Sequence, residues 1–331
     1  MKKIGIIGAG AWGTALAMVA RRAGRAVVVQ AREAEVAAAI NERHENTLFL
    51  PGVALDPAIV ATTELSRAAD AEAVLLAVPA QHTRNLCTAL APAWTPGVPV
   101  VICAKGIEEN TSALMSEVVA ETLPAAPLAV LSGPTFAAEV ARDQPCAVTL
   151  ACADGDLAEA LAAALGAPRF RIYHSPDVVG AQVGGAVKNV LAIACGIVEG
   201  RGLGDNARAA LITRGLAEIV RLGLAKGARA ETFRGLSGLG DLTLTCNAMQ
   251  SRNFSLGVAL GRGESLDGIL AARTSVAEGV FSAAAVTALA RSLAVEMPIS
   301  AAMDGVLNHA ADIDATIAGL LARPPGAETP G

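Results

Sequence analysis

A change of secondary-structure pattern part-way along the chain constrains its fold more than any other feature. Up to about residue 176, short β-rich runs alternate with alanine-rich helical patterns, an order typical of a mostly parallel, doubly wound sheet. Beyond that point the strand patterns stop, and the sequence stays helical as far as about Leu321. We therefore predict an α/β sheet domain over residues 1–180, an all-helical domain over residues 181–322 and a disordered tail over residues 323–331.

The predicted elements of the first 180 residues follow one another closely. Runs with strand character cover residues 3–7, 26–30, 73–78, 98–103, 128–131, 147–151 and 169–173. Helical patterns between them cover residues 13–23, 34–42, 83–90, 112–123 and 156–165. In such a sheet the ligand crevice lies at the carboxyl ends of the strands, so the loops that follow the strands are the places to look for function.

Composition limits the classes of protein to which the chain can belong. At 331 residues, 53% hydrophobic and 17% charged, it is long and apolar enough for two folded domains. The formal net charge of −5 argues against nucleic acid or an anionic membrane as a bulk partner. The six cysteines form no C-x-x-C pair, which predicts reduced thiols in a cytoplasmic protein. Prolines break the longest uncharged stretch, residues 85–104, so we expect no integral membrane segment.

A glycine motif directly after the first predicted strand indicates what the sheet binds. Gly8, Gly10 and Gly13 form G-x-G-x-x-G where the first helical pattern begins. Glycines in this position let backbone N–H groups close on a pyrophosphate, and the helix N-terminus adds positive potential. The alternative is a tight turn that binds nothing. A strand before the motif and a helix after it favour a Rossmann-type domain that binds a dinucleotide.

The end of the second predicted strand bears on the choice of dinucleotide. A site dedicated to NAD usually has Asp or Glu here to bind the ribose 2′-hydroxyl, and this chain has Gln30 instead. Arg32 follows and is placed to meet a 2′-phosphate, while Glu33 beside it tempers the positive charge. We expect the cofactor to be NADPH or NADH, with NADPH favoured.

Polar residues also follow two later strands of the predicted sheet. Lys105 stands at one strand end, where its ammonium would point into the ligand crevice, although an ordinary surface lysine is the alternative. Gly133 and Thr135 follow the next strand and offer close backbone approach and a hydroxyl group. A plain turn is the alternative for this second segment.

Lys188 is the only charged residue for about ten positions on either side, within an apolar helical pattern. On a helix it shares one face with Gly184, Leu191 and Cys195. A desolvated ammonium there either finds a partner or has its pKa lowered toward neutrality, which suits it to proton transfer. The alternative is a lysine with a buried stem whose charged head reaches water.

The helical half contains further polar residues with a pattern of their own. Asp241 ends a glycine-rich loop, and Ser251-Arg252-Asn253 follows ten residues later. A hydroxyl, a guanidinium and an amide in a row can bind an anion, although such a triplet also serves as a helix N-cap. No acidic residue stands between Asp241 and Glu264, which leaves the Arg252 guanidinium to bind an external anion. Glu278 is another lone carboxylate, among small residues.

Together these motifs resemble those of the bacterial NAD(P)-dependent sn-glycerol-3-phosphate dehydrogenases. The resemblance runs from residue 1 to about 310 and rests on segments 8–13, 46–52, 132–139, 185–189, 238–242 and 251–253. It implies reversible NAD(P)H-dependent reduction of dihydroxyacetone phosphate to sn-glycerol 3-phosphate. That product supplies the glycerol backbone for phospholipid synthesis.

The resemblance also implies roles for individual residues, with Lys188 as the catalytic acid and base. The residues implied to bind the substrate are Lys105, Gly133, Thr135, Lys188, Asp241, Ser251, Arg252 and Asn253. Those implied to bind the cofactor, together with the glycine motif, are Gly8, Gly10, Ala11, Trp12, Gly13, Arg32, Lys105, Ala137, Arg252, Val276 and Glu278. The chain departs from the family pattern at Ala11, where serine is frequent, and at Glu33, where a second basic residue is common.

These predictions combine into one mechanism and leave two alternatives. Lys188, helped by Lys105, would stabilise the charge that develops on the substrate carbonyl oxygen and deliver the proton. Asp241 would orient Lys188 or bind a substrate hydroxyl, and no metal is needed. The alternatives are another dehydrogenase of this architecture, such as a ketopantoate reductase or a β-hydroxyacid dehydrogenase, and a silent NADP-binding regulator. Besides the small-molecule substrate, the expected partner is a second copy of the chain in a homodimer.

Overall fold

The computed structural model describes residues 1–273 and 277–324. The predicted cofactor contact at Val276 and most of the tail predicted to be disordered lie outside these residues. The strands are β1 (Lys3–Ile7), β2 (Ala26–Gln30), β3 (Glu45–Asn46), β4 (Leu50–Ala54), β5 (Ile59–Thr62), β6 (Ala73–Leu76), β7 (Val100–Ile102), β8 (Leu128–Ser132), β9 (Cys146–Ala151) and β10 (Phe170–Ser175).

Eight of these strands form one sheet in the order β10-β9-β8-β7-β6-β1-β2-β5. Neighbouring strands are parallel except β8 and β9, so the predicted parallel-dominated sheet is confirmed. Strand β5 and the separate hairpin of β3 and β4 were not predicted from the sequence. These strands are short, and Pro51, Gly52 and Pro57 interrupt or flank them, which hides the β pattern.

Helices surround the sheet in the first half of the chain and make up the second half. The helices of the first half are α1 (Ala11–Arg22), α2 (Ala34–Arg43), α3 (Leu65–Ala69), α4 (Thr83–Leu90), α5 (Met115–Thr122), α6 (Ala137–Ala141) and α7 (Gly155–Leu165). Those of the second half are α8 (Val178–Gly200), α9 (Asp205–Ala225), α10 (Asp241–Asn247), α11 (Arg252–Gly261), α12 (Leu266–Ala271), α13 (Glu278–Ser292), α14 (Pro298–Asn308) and α15 (Ile313–Leu321). The predicted helical second half is therefore confirmed.

The apolar core has three parts. Successive strand residues point to opposite faces of a sheet, so Ile6 and Ile7 of β1 enter different parts. Ile6 packs on the side that includes Leu161 of α7, and Ile7 packs on the side that includes Val118 of α5. The third part lies among the helices of the second half and is centred on α8. Both faces of the sheet are thus covered, as the predicted doubly wound fold requires.

Helix α8 is long and apolar enough to cross a membrane, yet every residue of its most apolar stretch is buried inside the protein. It is therefore a core helix. Its backbone lies close to that of α11, because a Cβ on Gly196 would lie 2.1 Å from the Phe254 carbonyl oxygen. Likewise, a Cβ on Gly257 would lie 2.1 Å from the Ile193 carbonyl oxygen. Glycines permit this contact, which fixes the first turn of α11 against α8.

The arrangement of the sheet brings several loops to one edge. Strands β1, β2, β6, β7 and β8 run parallel, so the loops that contain Gly8, Arg32, Lys105 and Gly133 all begin at their carboxyl ends. The last strand ends at Ser175 and α8 begins directly after it, so the predicted boundary at residue 180 falls in the first turn of α8. The exact division into domains stays a prediction.

Candidate active site

The loop between β1 and α1 has the geometry of a dinucleotide-binding turn. Gly8 adopts φ +103°, and a Cβ on it would lie 2.8 Å from the Ala77 carbonyl oxygen. A Cβ on Gly13 would lie 1.9 Å from the Gly8 carbonyl oxygen, so α1 packs directly on the loop. Gly10, in contrast, has no atom of the described residues within 4 Å of the place of a Cβ, which leaves open space at the start of α1. A pyrophosphate fits there.

Side chains next to this turn hold it in shape and leave its charge suitable for an anion. Helix α1 has no acidic residue in its first turn, so its positive end is not neutralised locally. Asn46, which is fully buried, donates from Nδ2 to the Ala9 carbonyl oxygen and to Thr14 Oγ1, each at 2.8 Å. Ala11 and Trp12 form the first turn of α1, beside the open position at Gly10.

The end of β2 presents a paired arginine. The amide of Gln30 is buried and donates to the Thr63 carbonyl oxygen at 3.4 Å, so it points away from solvent. The Arg32 side chain is 85% exposed, and its Nη2 lies 2.6 Å from Glu33 Oε1. The guanidinium is therefore accessible to a 2′-phosphate, but Glu33 already occupies one of its edges.

The centre of the site is a carboxylate between two ammonium groups. Lys188 Nζ on α8 lies 2.6 Å from Asp241 Oδ1, and Lys105 Nζ lies 2.7 Å from Asp241 Oδ2. Asp241 is fully buried and Lys188 is 6% exposed, which excludes the alternative in which the lysine head reaches water. The Lys188 ammonium also donates to Thr245 Oγ1 at 2.8 Å. Together the two lysines and the aspartate have a net charge of about +1.

Burial lowers the pKa of Lys188 to about 8. The negative charge of Asp241 opposes this shift, and the positive charge of Lys105 adds to it. An amine with a pKa near 8 exchanges its proton readily at physiological pH, whereas an ordinary lysine holds it. The cluster therefore has the properties required of a proton donor and acceptor.

Close packing of a glycine-rich turn places Asp241 beside Lys188. Residues Leu236–Gly240 form a π-helical turn that leads into α10. A Cβ on Gly184 of α8 would lie 2.4 Å from the Ser237 carbonyl oxygen, so only glycine allows this turn to lie against α8. Gly184 stands one helical turn before Lys188, and the turn consequently brings Asp241 to the lysine.

The loop after β8 contributes backbone and a hydroxyl group. Gly133 adopts φ +151°, and its carbonyl oxygen accepts a hydrogen bond from Lys105 Nζ at 2.8 Å. Thr135 Oγ1 donates to the same carbonyl oxygen at 3.2 Å. Ala137 begins α6 directly afterwards and packs against the sheet core. The structure thus places Gly133 and Thr135 next to Lys105.

The three residues Ser251, Arg252 and Asn253 at the start of α11 have different roles. Ser251 Oγ accepts from the Phe254 backbone N–H at 3.2 Å and therefore caps the helix. Asn253 Nδ2 donates to Asn189 Oδ1 at 3.0 Å, while its Oδ1 accepts from the Gly279 N–H at 3.0 Å. Arg252 lies between them with an exposed side chain. Of the three side chains, Arg252 is the one turned to solvent.

Glu278 at the start of α13 lies nearer to this arginine than the sequence suggested. Burial raises the pKa of Glu278, and the charge of Arg252 is the first influence that opposes the shift. Glu278 Oε1 also accepts from the Ala80 backbone N–H at 3.4 Å, which links α13 to the loop after β6. The Arg252 guanidinium thus has a carboxylate in its surroundings, although none stands near it in sequence.

Comparison with known proteins identifies the family. The model of the NAD-dependent glycerol-3-phosphate dehydrogenase N-terminus matches residues 3–158, and that of the corresponding C-terminus matches residues 177–318. The chain belongs to the NAD-dependent glycerol-3-phosphate dehydrogenase family. This assignment decides against the two alternatives that the sequence left open, a different dehydrogenase of the same architecture and a silent NADP-binding regulator.

Individual relatives agree with the family. The chain is 64% identical to a Rhodospirillum rubrum protein named glycerol-3-phosphate dehydrogenase (NAD(P)+), over 97% of this chain and 92% of that protein. It is 59% identical to a protein of the same name from Caulobacter vibrioides, over 98% of each. A crystal structure of glycerol-3-phosphate dehydrogenase from Coxiella burnetii is similar with a TM-score of 0.94 and 38% identity, covering 97% of this chain and 99% of that one.

Two polar residues of this glycerol-3-phosphate dehydrogenase family member were missed by the sequence analysis. Thr245 Oγ1 accepts from Lys188 and donates to the Asp241 carbonyl oxygen at 2.6 Å, so it completes the shell of the ammonium. Asn189 Nδ2 donates to the Lys105 carbonyl oxygen at 3.0 Å, and its Oδ1 holds Asn253. Thr245 follows Asp241 by four residues on a helix, so the two side chains share one face, and this spacing could have predicted their contact.

Proposed function

We infer that this chain catalyses the reversible NAD(P)H-dependent reduction of dihydroxyacetone phosphate to sn-glycerol 3-phosphate, which supplies the glycerol backbone for phospholipid synthesis. The observation that carries this inference is the buried Lys188–Asp241 pair beside a dinucleotide-binding sheet edge. The relatives named glycerol-3-phosphate dehydrogenase support it over nearly the whole chain.

Lys188 is proposed to move the proton of the reaction. When bound, the reduced nicotinamide supplies a hydride to the carbonyl carbon of the substrate. The carbonyl oxygen then gains negative charge and needs a proton, which the Lys188 ammonium delivers as its N–H bond breaks and the O–H bond forms. A pKa of about 8 keeps enough of the lysine protonated at neutral pH for this step. In the reverse direction, the neutral amine takes the proton from the alcohol.

Asp241 and Lys105 are proposed to support this transfer. Each oxygen of the Asp241 carboxylate holds one ammonium, so Asp241 orients Lys188 and fixes its distance from Lys105. The remaining net positive charge favours the transition state, in which the carbonyl oxygen becomes negative. Lys105 is additionally held by the Gly133 carbonyl oxygen, which directs its ammonium toward the centre of the site.

The substrate phosphate is proposed to bind at the start of α11. Arg252 presents an exposed guanidinium, and the first backbone N–H groups of α11 lie beside it. Ser251 and Asn253 support this site indirectly, because their side chains shape the first turn. Thr135 and Gly133, next to Lys105, are proposed to contact the rest of the substrate.

The cofactor is proposed to be NADPH or NADH, with NADPH favoured. The pyrophosphate would lie on Gly8, Gly10 and Gly13 with the first turn of α1, where the open space at Gly10 supports it. The exposed Arg32 favours a 2′-phosphate, while Glu33 competes for the same guanidinium and leaves room for NADH. Ala137, Arg252, Val276 and Glu278 are proposed to contact the remainder of the cofactor.

An absorbance assay at the nicotinamide band tests this function directly. Each reduced cofactor is mixed with dihydroxyacetone phosphate and, separately, with unphosphorylated dihydroxyacetone. We expect oxidation of both cofactors with the phosphorylated ketone, with the higher kcat/KM for NADPH, and a preference of several orders of magnitude over dihydroxyacetone. A lack of turnover with dihydroxyacetone phosphate and either cofactor would refute the proposed function.

We further propose that the chain forms a homodimer and acts in the cytoplasm. Helix α15 is apolar along most of its length but has no buried residue, and Leu321 at its end is 81% exposed, so a second copy has apolar surface to cover. All six cysteines are free, as expected for a reducing compartment. Light scattering of the purified protein tests the dimer, and fractionation of cells tests the location.

A further inference from the structure

The proposed mechanism leaves a second guanidinium unused at the first turn of α11. Arg273 follows α12, and its Nη1 donates to the backbone carbonyl oxygen of Arg252 at 2.8 Å. Its Nη2 donates to Ser255 Oγ at 3.2 Å, and Ser255 Oγ itself donates to the same Arg252 carbonyl oxygen at 3.3 Å. The Arg273 guanidinium therefore holds the backbone of Arg252, the residue that we propose as the phosphate anchor.

The first turn of α11 has a local excess of positive charge. A helix N-terminus has positive partial charge, and the first turn of α11 contains no acidic residue. Arg252 and Arg273 add two cations at this end. The negative charge of Glu278 acts on Arg252 and that of Glu264 acts on Arg273, which offsets the two positive charges in part. Such an excess of positive charge favours the binding of an anion, such as a phosphate group.

The same turn also holds the next element of the site. The Gly279 N–H donates to Asn253 Oδ1 at 3.0 Å, so α11 fixes the start of α13 as well as Arg273. The chain on both sides of residues 274–276 is thereby tied to one helical turn. Loss of Arg273 would release one of these two attachments, while the attachment through Asn253 would remain.

We propose that Arg273 is a positioning residue for the substrate phosphate. It holds the backbone of Arg252 through its hydrogen bond to the carbonyl oxygen, and it thereby directs the Arg252 guanidinium at the phosphate. This inference rests on the proposed role of Arg252, and it adds a residue that no local sequence pattern indicates.

The experiment compares Arg273→Gln, Arg252→Ala and the double variant with the unchanged chain. A matched control is Arg262→Gln, which changes an exposed arginine at the opposite end of α11. For each protein, kcat and KM are measured at saturating NADPH with dihydroxyacetone phosphate and with dihydroxyacetone. Arg273 is only partly buried, and an unchanged kcat/KM for dihydroxyacetone shows that the variant is folded.

We expect Arg273→Gln to raise KM for the phosphorylated ketone by roughly tenfold, the effect of one charge-assisted hydrogen bond, with little change in kcat. Dihydroxyacetone kinetics and the Arg262→Gln control should stay as in the unchanged chain. In the Arg252→Ala background the change should have no further effect, because a positioning residue acts through the group that it positions.

The possible results separate this inference from the proposed function. An unchanged KM for dihydroxyacetone phosphate in Arg273→Gln, or equal losses of kcat/KM for both ketones, would overturn the positioning role of Arg273. The proposed function of the protein would remain intact. Losses that multiply in the double variant would show an independent contact, and would overturn action through Arg252. If Arg252→Ala itself leaves the ratio of kcat/KM for the two ketones unchanged, the phosphate binds elsewhere. The proposed role of Arg252 is then wrong, independently of Arg273.

Discussion

The two sides of the candidate active site are built in different ways. On the side of the sheet, the proposed dinucleotide site is made of backbone, with Gly8, Gly10 and Gly13 within six residues of one another. On the helical side the site is made of side chains, and Asp241 lies 53 residues from Lys188 and 136 residues from Lys105. A local backbone turn assembles the first site, whereas the packing of separate elements assembles the second.

This difference predicts how each side responds to substitution. A backbone site has few side chains to remove, so changes around it should alter which cofactor binds more than how fast the reaction proceeds. A cluster of buried charges depends on every member, because an unpaired charge in the interior is costly. Truncations on the helical side should therefore have the larger effects on rate.

The largest expected effect comes from Lys188→Ala. Removal of the proposed proton donor should lower kcat by roughly 10²–10⁴, the usual contribution of general acid catalysis, while KM for NADPH stays nearly unchanged. Steady-state kinetics with saturating dihydroxyacetone phosphate measure it. Lys226→Ala is a matched control, since Lys226 pairs with Glu117 at 2.7 Å outside the cluster. Near-normal turnover in Lys188→Ala would contradict the catalytic role of Lys188. It would also contradict the expectation that substitutions on the helical side have the larger effects on rate.

Arg252→Ala should have the next largest effect. Loss of the guanidinium should lower kcat/KM for dihydroxyacetone phosphate by roughly 10- to 100-fold, the effect of losing a charge-assisted pair. The value for dihydroxyacetone should change little, so the preference between the ketones shrinks. Measurements at saturating NADPH separate this effect from any contact of Arg252 with the cofactor. An unchanged preference would mean that the phosphate binds to another cation, such as Lys105.

On the side of the sheet, Arg32→Ala should raise KM for NADPH by roughly tenfold and leave NADH nearly untouched. Glu33→Gln should have the opposite and smaller effect, because it frees the Arg32 guanidinium from its pair at 2.6 Å. The ratio of kcat/KM for the two cofactors measures both variants. Equal losses for NADPH and NADH in Arg32→Ala would mean that Arg32 supports the adenine or the fold.

The smallest expected effect is a change in the dependence of rate on pH. Since the pKa of Lys188 is about 8, ketone reduction should fall as pH rises through that value, and alcohol oxidation should rise. Asp241→Asn removes the carboxylate that favours the ammonium, so both transitions should move to lower pH. Profiles of kcat/KM in the two directions test this. A reduction profile that stays flat through pH 8 would contradict the assignment of Lys188.

The fold was largely predictable, and the misses have a physical cause. The alternation of β-rich and helical runs was enough to predict the sheet domain, because the pattern of apolar residues in each run reflects which of its own residues are buried. Strand β5 and the β3–β4 hairpin escaped because prolines and glycine mask a pattern only two to five residues long. The sequence also did not predict that β9 pairs with β8 in the antiparallel direction, because the direction of a strand is defined only relative to its neighbour in the sheet.

For the candidate site, the sequence alone determined the residues whose signal is local. The glycine motif after β1 and the isolated charge of Lys188 are both visible within about twenty residues, because backbone conformation and helix burial depend on nearby neighbours. Tertiary structure decided which charges meet. Asp241 reaches Lys188 because Gly184 lets a distant turn lie against α8, and Glu278 approaches Arg252 although 26 residues separate them. Pairing between distant residues depends on how helices pack, and no local pattern encodes it.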